Sequence, residues 1–437
     1  MMIFTVVLIL LVLVLLITWA KVHPFLSFLI VSILAALFLG VNPANIGKSL
    51  EKGIGGILGS VFSVIILGAM LGKVIASSGA AQRISESLVA LFGKKYLPWA
   101  LALTGFIVGI PLFYNVGFIL LIPLIYSLGQ RYQLPLVYLA VALCASLSVT
   151  HGFLPPHPSP TALVPMMHAD LGKTLVYGLI ASIPVILVAG PLFAMTVRNI
   201  KGEPLASLKV KIFEAHEMPS SIKSYVAALL PVIMLAMGTW FTNIFEKDTV
   251  SFKVASLLSD ANIVMLVSLF VAYYLLGMSR GEKLSKLIPE GIEAAKDVFP
   301  ILMIVAGAGV LKEIFTVAGL SDQIGNLVKT SSFSPLITGW FIAAVIRLSL
   351  GSATVAGLTA AGIIAPGIDP SLVDPNLMVL AIGAGSLMFS HVNDTGFWMF
   401  KEYFNLNIKD TIKSWSLMET VVSVVGLGVV LIIDLFV

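Results

Sequence analysis

The fold is decided by the stretch Thr150-His151-Gly152-Phe153-Leu154-Pro155-Pro156-His157-Pro158-Ser159-Pro160, which interrupts a long apolar sequence. A helix cannot continue intact through Pro155-Pro156, because proline lacks an N–H and its ring clashes with the preceding turn. Inside a bilayer, backbone groups freed by such a break must be buried in protein or line a polar cavity. The stretch therefore predicts a broken transmembrane helix over residues 134–165, with polar side chains at its break.

Composition places the whole chain in a membrane. The 437 residues are 58% hydrophobic and 11% charged, whereas soluble domains carry about 25% charged residues. We therefore expect an all-α polytopic membrane protein. The net charge of +4 comes from basic residues spread over short loops, which argues against nucleic acid as a partner. Cys144 is the single cysteine, so the sequence predicts neither an intrachain disulfide nor a cysteine metal cluster.

A second interruption, Ser390-His391-Val392-Asn393-Asp394-Thr395-Gly396, follows the first by about 240 positions and predicts a second broken helix over 376–400. The chain then divides into two halves, 1–197 and 225–437, and the polar segment 198–224 between them is expected to be a cytoplasmic linker. A membrane span needs about 20 apolar residues. Unbroken spans are expected at 2–20, 22–41, 54–77, 173–197, 225–245, 258–277, 294–317 and 408–437.

Two further apolar stretches, 97–130 and 335–366, carry small polar residues at their centres. The first contains Phe113-Tyr114-Asn115-Val116-Gly117, and the second contains Leu350-Gly351-Ser352-Ala353-Thr354. Each stretch is predicted to be a re-entrant hairpin, in which two half-helices meet at a tip inside the membrane. The alternative for each is one long tilted helix followed by a surface helix.

The two halves resemble each other as repeats. Ser146-x-x-x-Thr150-His151 matches Ser386-x-x-x-Ser390-His391 at an offset of 240, and Pro98 matches Pro335 at an offset of 237. Five crossings in each half is an odd number, so the two repeats are expected to be inverted relative to each other. Inverted repeats with discontinuous helices near the membrane midplane are typical of secondary transporters.

Loop charges predict the orientation of the chain. With the N-terminus outside, sixteen basic residues fall on the predicted cytoplasmic segments and six on the outer segments. Short cytoplasmic loops carry an excess of lysine and arginine. Both termini are therefore expected to face the outside.

Arg347 is the strongest single candidate for substrate contact. It lies in an apolar stretch just before the second predicted tip, where an arginine at the membrane centre costs at least ~2.5 kcal/mol. Its planar guanidinium matches the geometry of a carboxylate. The alternative is a structural ion pair with a protein carboxylate, such as Glu313 or Asp394.

The two predicted tips supply the remaining candidates for substrate contact. Small residues allow a ligand to approach the backbone closely, and the N-terminus of a half-helix directs partial positive charge at an anion. The alternative is close helix packing through small residues. Asn115 can both donate and accept hydrogen bonds, which suits a molecule rich in hydroxyls. The predicted substrate contacts besides Arg347 and Asn115 are Tyr114, Gly117, Thr150, His151, Gly351, Ser352, Thr354, Asn393 and Asp394.

Four side chains near the interruptions are candidates for carrying a proton: His151, His157, His391 and Asp394. For each histidine the alternative is a neutral ring that caps broken backbone. No metal site is expected, because the His-x5-His spacing is not a helical i, i+4 pair and the sequence has no His-Glu-x-x-His motif. Glu419, deeper in the last span, has no role assigned from sequence.

Three long motifs resemble the gluconate permease family of bacterial proton symporters. They are Ser148–Thr161, Arg347–Val355 and Ser390–Phe404, and the similarity extends from about Gly53 to the C-terminus. The resemblance implies the architecture of the wider ion-transporter superfamily, with inverted repeats, two hairpins, two broken helices and a homodimer. It also implies proton-driven uptake of gluconate or a related small hydroxy acid across the bacterial inner membrane by alternating access, with no cofactor.

Asn115 departs from the family pattern. Many members carry a glutamate at this position, whereas asparagine cannot titrate. Because of this difference, the stronger candidates for carrying the coupled proton are His151, His157, His391 and Asp394.

Several rival functions stay open at this point. The substrate could be another small carboxylate, such as a D-amino acid or glycerate, and the coupling ion could be sodium. An intramembrane hydrolase is a remote alternative, because the sequence has no recognisable nucleophile–base pair or metal triad. The chain is therefore predicted to be a carrier and not an enzyme. A passive channel is disfavoured, because two inverted broken-helix sites are typical of alternating access.

Overall fold

The computed structural model describes residues 2–205, 213–319, 334–369 and 372–437, and within these ranges it contains helices and no strands. The middle of the predicted linker and two short segments of the second half lie outside the described residues. Seven of the described helical segments are long and apolar enough to cross a membrane, with the interrupted segment Leu136–Met166 counted as one. The chain is thus a multi-pass membrane protein.

The helices of the two halves are numbered in chain order. The first half contains α1 (Met2–Thr18), α2 (Pro24–Phe38), α3 (Pro43–Ser77), α4 (Ala80–Phe92), α5 (Leu97–Gly109), α6 (Tyr114–Tyr132), α7 (Leu136–Phe153), α8 (Pro158–Met166) and α9 (Leu171–Thr196). The second half contains α10 (Ser221–Ile244), α11 (Val250–Ser259), α12 (Ala261–Arg280), α13 (Leu284–Asp297), α14 (Phe299–Val317), α15 (Pro335–Leu350), α16 (Ala353–Ile364), α17 (Pro375–Gly385), α18 (Thr395–Tyr403) and α19 (Ile408–Asp434). Helices α4, α11 and α13 were not among the predicted elements.

Two of the predicted spans differ in length from the helices observed. Helix α2 has 15 residues, about 22 Å at 1.5 Å per residue, and is shorter than the ~30 Å hydrocarbon core. Helix α3 has 35 residues and begins at Pro43, where the Asn42 side chain accepts a hydrogen bond from the Ala44 N–H. The expected start of this span at residue 54 is wrong, because the first turns of α3 are polar and the apolar stretch begins only after them.

Two helices are interrupted at the sequence motifs. Helix α7 ends at Phe153 and α8 begins at Pro158, where proline is accommodated because the first helical N–H needs no intrahelical partner. Helix α17 ends at Gly385 and α18 begins at Thr395. The Asp394 carboxylate starts α18 by accepting a hydrogen bond from the Gly396 N–H at 3.1 Å. We call α7–α8 and α17–α18 the first and second interrupted helices.

Two helix pairs have short breaks at the small polar motifs. In the first pair, α5 ends at Gly109 and α6 begins at Tyr114. In the second pair, α15 ends at Leu350. The next residue, Gly351, closes the helix with a φ of +76°, in the left-handed region that favours glycine. Ser352 then starts α16, since its hydroxyl accepts a hydrogen bond from the Val355 N–H. The break of the second pair therefore follows from local backbone chemistry.

Helices α3 and α14 approach each other closely through glycines. A Cβ atom added at Gly53 would lie 2.7 Å from the Val310 Cα and 2.8 Å from the Gly309 carbonyl oxygen. Both contacts are with backbone, which cannot rotate away as a side chain can.

We predict that Gly53→Ala lowers the free energy of unfolding by about 1–3 kcal/mol, because it overpacks this contact. Gly55→Ala is the matched control, because a Cβ at Gly55 on the same helix would meet nothing within 4 Å and alanine is the better helix former. Thermal unfolding of the purified protein in detergent measures both. An equal loss in the two variants would contradict the close contact.

Candidate functional site

A cavity of about 390 Å³ lies where the breaks of the two helix pairs meet the two interrupted helices and α19. It is lined by Phe113, Tyr114, Asn115, Ser148, His151, Ile301, Arg347, Leu350, Gly351, Ser352, Ala353, Thr354, Leu387, Asn393, Asp394, Thr395, Gly396, Trp415 and Glu419. We call it the central cavity. Its volume lies in the range of small-molecule sites, about 300–1,000 Å³.

The central cavity brings together nine of the eleven substrate contacts predicted from sequence. The nine are Tyr114, Asn115, His151, Arg347, Gly351, Ser352, Thr354, Asn393 and Asp394. Gly117 and Thr150 are not among the lining residues. Gly117 packs against the Leu147 side chain, and the buried Thr150 hydroxyl donates a hydrogen bond to the Leu147 carbonyl at 2.9 Å.

The Arg347 guanidinium binds other groups of the protein. Its side chain is 3% exposed, forms an ion pair with Asp394 and donates a second hydrogen bond to the Gly351 carbonyl. The other alternative, Glu313, instead pairs with Lys52 at 2.8 Å. A buried arginine is tolerated when it is paired and hydrogen-bonded, so the ion pair with Asp394 explains how Arg347 lies in an apolar helix.

The Asp394 carboxylate holds several elements together. Besides the Arg347 guanidinium, it accepts hydrogen bonds from the Ser390 hydroxyl and from the Gly396 N–H. The Ser390 hydroxyl in turn accepts a hydrogen bond from the Trp415 indole N–H at 2.7 Å. Asp394 thereby ties α15, the second interrupted helix and α19 into one polar cluster.

Two of the candidate histidines cap helix ends and do not line the central cavity. Nε2 of His157 donates to the Gly109 carbonyl at 2.7 Å, at the end of α5. Nε2 of His391 donates to the Leu348 carbonyl at 3.0 Å, near the end of α15. The last carbonyls of a helix lack intrahelical partners, so each interrupted helix supplies a histidine to the C-terminus of the first helix in one pair.

His151 is the candidate histidine that lines the central cavity. Its ring centroid lies 5.5 Å from that of His157. Its buried Nδ1 has no hydrogen-bond partner within the described part of the chain. The Nδ1 of His151 is therefore available to form a hydrogen bond with a ligand in the cavity.

The start of α16 gives the cavity wall a positive character. Ala353 and Thr354 are the first two residues of this 12-residue helix, and both line the cavity. The first N–H groups of a helix have no intrahelical partner and carry partial positive charge. Such a helix start is a ready site for a carboxylate.

Sequence reasoning missed three functional candidates: Glu419, Ser148 and Trp415. The Glu419 side chain lines the cavity although the residue is only 1% exposed, and its Oε1 accepts a hydrogen bond from the Ser148 hydroxyl. A carboxylate within an apolar span is itself a functional signal, and Ser148 lies three residues before His151, on the same helix face. No sequence signal pointed to Trp415.

The cavity can hold a small polar anion. It combines a helix start with amide and hydroxyl groups, and its buried arginine is already paired. Among the described residues, no group of three or more His, Cys, Asp or Glu side chains is placed to bind a metal ion. The helix start and the amide and hydroxyl groups of the lining suit a small polar organic molecule.

Comparison with known proteins shows relatives over almost the whole chain. The model of the GntP family permease matches residues 1–436. The chain is 42% identical over 408 residues to the high-affinity gluconate transporter of Escherichia coli (strain K12), covering 93% of each chain. It is 39% identical to the Gnt-II system L-idonate transporter of the same organism, over 95% of this chain and 94% of the relative.

The fold is also similar to a solved transporter structure. The crystal structure of the YdaH transporter from Alcanivorax borkumensis superposes with a TM-score of 0.67 at 16% identity, covering 95% of this chain and 98% of that chain. At this identity the likeness concerns the fold alone. The relatives with higher identity are transporters and permeases, so the protein is a permease and not an enzyme. On the match of the family model over residues 1–436, the chain belongs to the GntP family of permeases.

Proposed function

We propose that the protein is a secondary active transporter that takes up gluconate or a related small sugar acid together with protons. The observation that carries the proposal is the central cavity, which joins a helix start suited to a carboxylate with several hydroxyl and amide groups. The relatives named as gluconate and L-idonate transporters support this substrate class.

The substrate carboxylate would bind at the start of α16, where the N–H groups of Ala353 and Thr354 are available. Arg347 lies next to this point and adds positive potential, although Asp394 already pairs with it. Asn115 and Asn393 are both exposed and line the same cavity, so they are placed to bind substrate hydroxyls. This arrangement would recognise a carboxylate at one end and hydroxyls along the chain of a sugar acid.

The finer architecture belongs to the same proposal. Two inverted repeats, each with a re-entrant hairpin and a broken helix, would place the two interruptions on opposite sides of one site. The matching carbonyl contacts of His157 and His391 support this relation between the halves. Alternating access would then move the helix pairs and interrupted helices against the remaining helices. Location in the bacterial inner membrane, both termini outside and a homodimer are further parts of this proposal, for which the family resemblance and the loop charges are the support.

Uptake of labelled gluconate by proteoliposomes tests the function. We expect labelled gluconate to accumulate inside the vesicles and its accumulation to increase with an inwardly directed proton gradient. Unlabelled L-idonate should reduce this accumulation by competition. Empty liposomes and a gradient collapsed by a protonophore are the controls. Lack of uptake of every sugar acid tried, or uptake indifferent to the gradient, would contradict the proposal.

Sodium dependence at fixed pH separates the two modes of coupling. A proton-coupled carrier should transport equally well when sodium is replaced by choline. Loss of uptake in choline would favour sodium coupling instead. D-amino acids and glycerate, tested as competitors in the same assay, define the breadth of the substrate class.

A further inference from the structure

The side chain of Glu419 is a buried carboxyl group that the binding arrangement above does not use. It reaches the central cavity from α19, and the residue is 1% exposed. The Ser148 hydroxyl donates a hydrogen bond to Oε1, so Oε2 is the oxygen available to a proton. The titratable and charged groups that face it are Tyr114 from α6, Cys144 and His151 from α7, Arg347 from α15, and Asp394 from the break before α18.

In the part of the chain that the structure describes, no cation forms an ion pair with Glu419. Among the described lining residues, Arg347 is the one permanent cation, and it is engaged by Asp394 and by the Gly351 carbonyl. Glu419 instead has a neutral partner, Ser148. An ionised carboxylate in such surroundings is costly, and taking up a proton removes that cost.

The other candidate acids and bases are committed to structural contacts. Asp394 pairs with Arg347 and also accepts hydrogen bonds from Ser390 and Gly396. His157 and His391 use Nε2 to bind helix carbonyls outside the cavity lining. Of the described carboxyl groups and histidines, only His151 and Glu419 line the cavity without forming an ion pair, and Glu419 is the acid of the two.

We propose that Glu419 takes up the coupled proton on Oε2, and that an anionic substrate binds only when Glu419 is neutral. The inference rests on the proposed function, a proton-coupled carrier of a sugar acid. A substrate carboxylate entering the cavity beside an ionised Glu419 meets a like charge at short range, which opposes binding. Protonation removes the repulsion and supplies an O–H donor for a substrate oxygen. The proton comes from water on the entry side and returns to water on the exit side, so charge balances in each step.

The dependence of gluconate affinity on pH tests the inference. If one proton must bind with the anion, the Kd of the wild type rises about tenfold per pH unit above the pH at which Glu419 ionises. Glu419→Gln keeps a neutral amide of the same size, so its Kd should be nearly independent of pH. Glu313→Gln, a variant of an acid that pairs with Lys52 outside the cavity, should keep the wild-type slope. Calorimetric titration of the purified full chain at several pH values measures all three.

The possible results distinguish failure of the inference about Glu419 from failure of the proposed function. If the Kd of Glu419→Gln rises with pH as steeply as that of the wild type, Glu419 does not carry the proton. If only His151→Gln loses this dependence on pH, the proton is carried by His151. A wild type that neither binds nor accumulates any sugar acid fails the proposed function itself, and the role of Glu419 falls with it. If the wild type transports gluconate normally but the Kd of Glu419→Gln depends on pH as the wild-type Kd does, only the inference about Glu419 is wrong.

Ser148→Ala provides a second test if Glu419→Gln does not fold. The Ser148 hydroxyl donates to the carboxylate and so favours its ionised form. Without this donor, Glu419 should hold its proton to higher pH, and the alkaline limit of gradient-driven uptake should move upward. Thr150→Ala is the matched control, because this buried hydroxyl lies two residues further along α7 and bonds only the Leu147 carbonyl. An unshifted limit in Ser148→Ala would overturn the inference.

Discussion

Replacing Arg347 by alanine should abolish transport and lower the free energy of unfolding by about 3–5 kcal/mol, because it leaves one partner of a buried ion pair uncompensated. The Arg347 side chain is 3% exposed and pairs with Asp394 across the join between α15 and the second interrupted helix. Its loss also removes the donor to the Gly351 carbonyl. Uptake assays in proteoliposomes and thermal unfolding in detergent measure the two effects.

A double variant separates structure from substrate contact. Asp394→Asn alone should be as damaging as Arg347→Ala, because it leaves the guanidinium buried without a countercharge. Arg347→Met combined with Asp394→Leu should recover much of the stability, since removing both charges is far less costly than removing one. If the double variant is stable and still transports gluconate, the ion pair is only structural. Full stability of Arg347→Ala would contradict the paired geometry.

Replacing Gly351 by alanine should destabilise the protein by about 2–4 kcal/mol and stop transport, because two costs add at one position. Its φ of +76° is unfavourable for any residue with a Cβ. The added Cβ would also lie 2.6 Å from the carbonyl carbon of Asn393, in the second interrupted helix. The contact joins the two breaks that form one wall of the central cavity, so a shift there deforms the site.

Gly40→Ala is the matched control for the backbone cost. Gly40 has a similar φ of +79°, but a Cβ there would meet nothing within 4 Å. It should therefore show only the conformational cost, about 1–2 kcal/mol, and keep transport activity. If Gly351→Ala and Gly40→Ala lower the free energy of unfolding equally, the close approach of Gly351 to Asn393 does not contribute to stability.

The positions of the breaks could be predicted from sequence because they depend on local chemistry. Pro155-Pro156 ends a helix wherever it lies, and the Gly351-Ser352 pair closes one helix and starts the next. Helix lengths were less predictable. Helix α3 begins eleven residues before the predicted start, because polar residues in its first turns hide a helix from any measure of apolarity.

The sequence offered Asp394 as one of two ion-pair partners for Arg347, but it could not choose between them or predict the other polar contacts, because the packing of distant helices decides them. His151 matches His391 in the alignment of the two halves, yet the two histidines that cap equivalent helix ends are His157 and His391. A helix end leaves carbonyl groups without partners, and the histidine that lies nearest in space donates a hydrogen bond to one of them. Which histidine is nearest depends on how far each interrupted helix extends toward its helix pair.

By itself, the sequence determined that this chain lies in a membrane, where its helices break and which residue types gather at the breaks, because apolarity and proline act locally. The tertiary structure decided which polar and charged side chains meet. Asp394 pairs with Arg347 across 47 positions and Ser148 bonds Glu419 across 271. Those contacts exist only because α19 and the second interrupted helix pack beside α7 and α15, and in an apolar interior a buried polar group is costly without a hydrogen-bond partner.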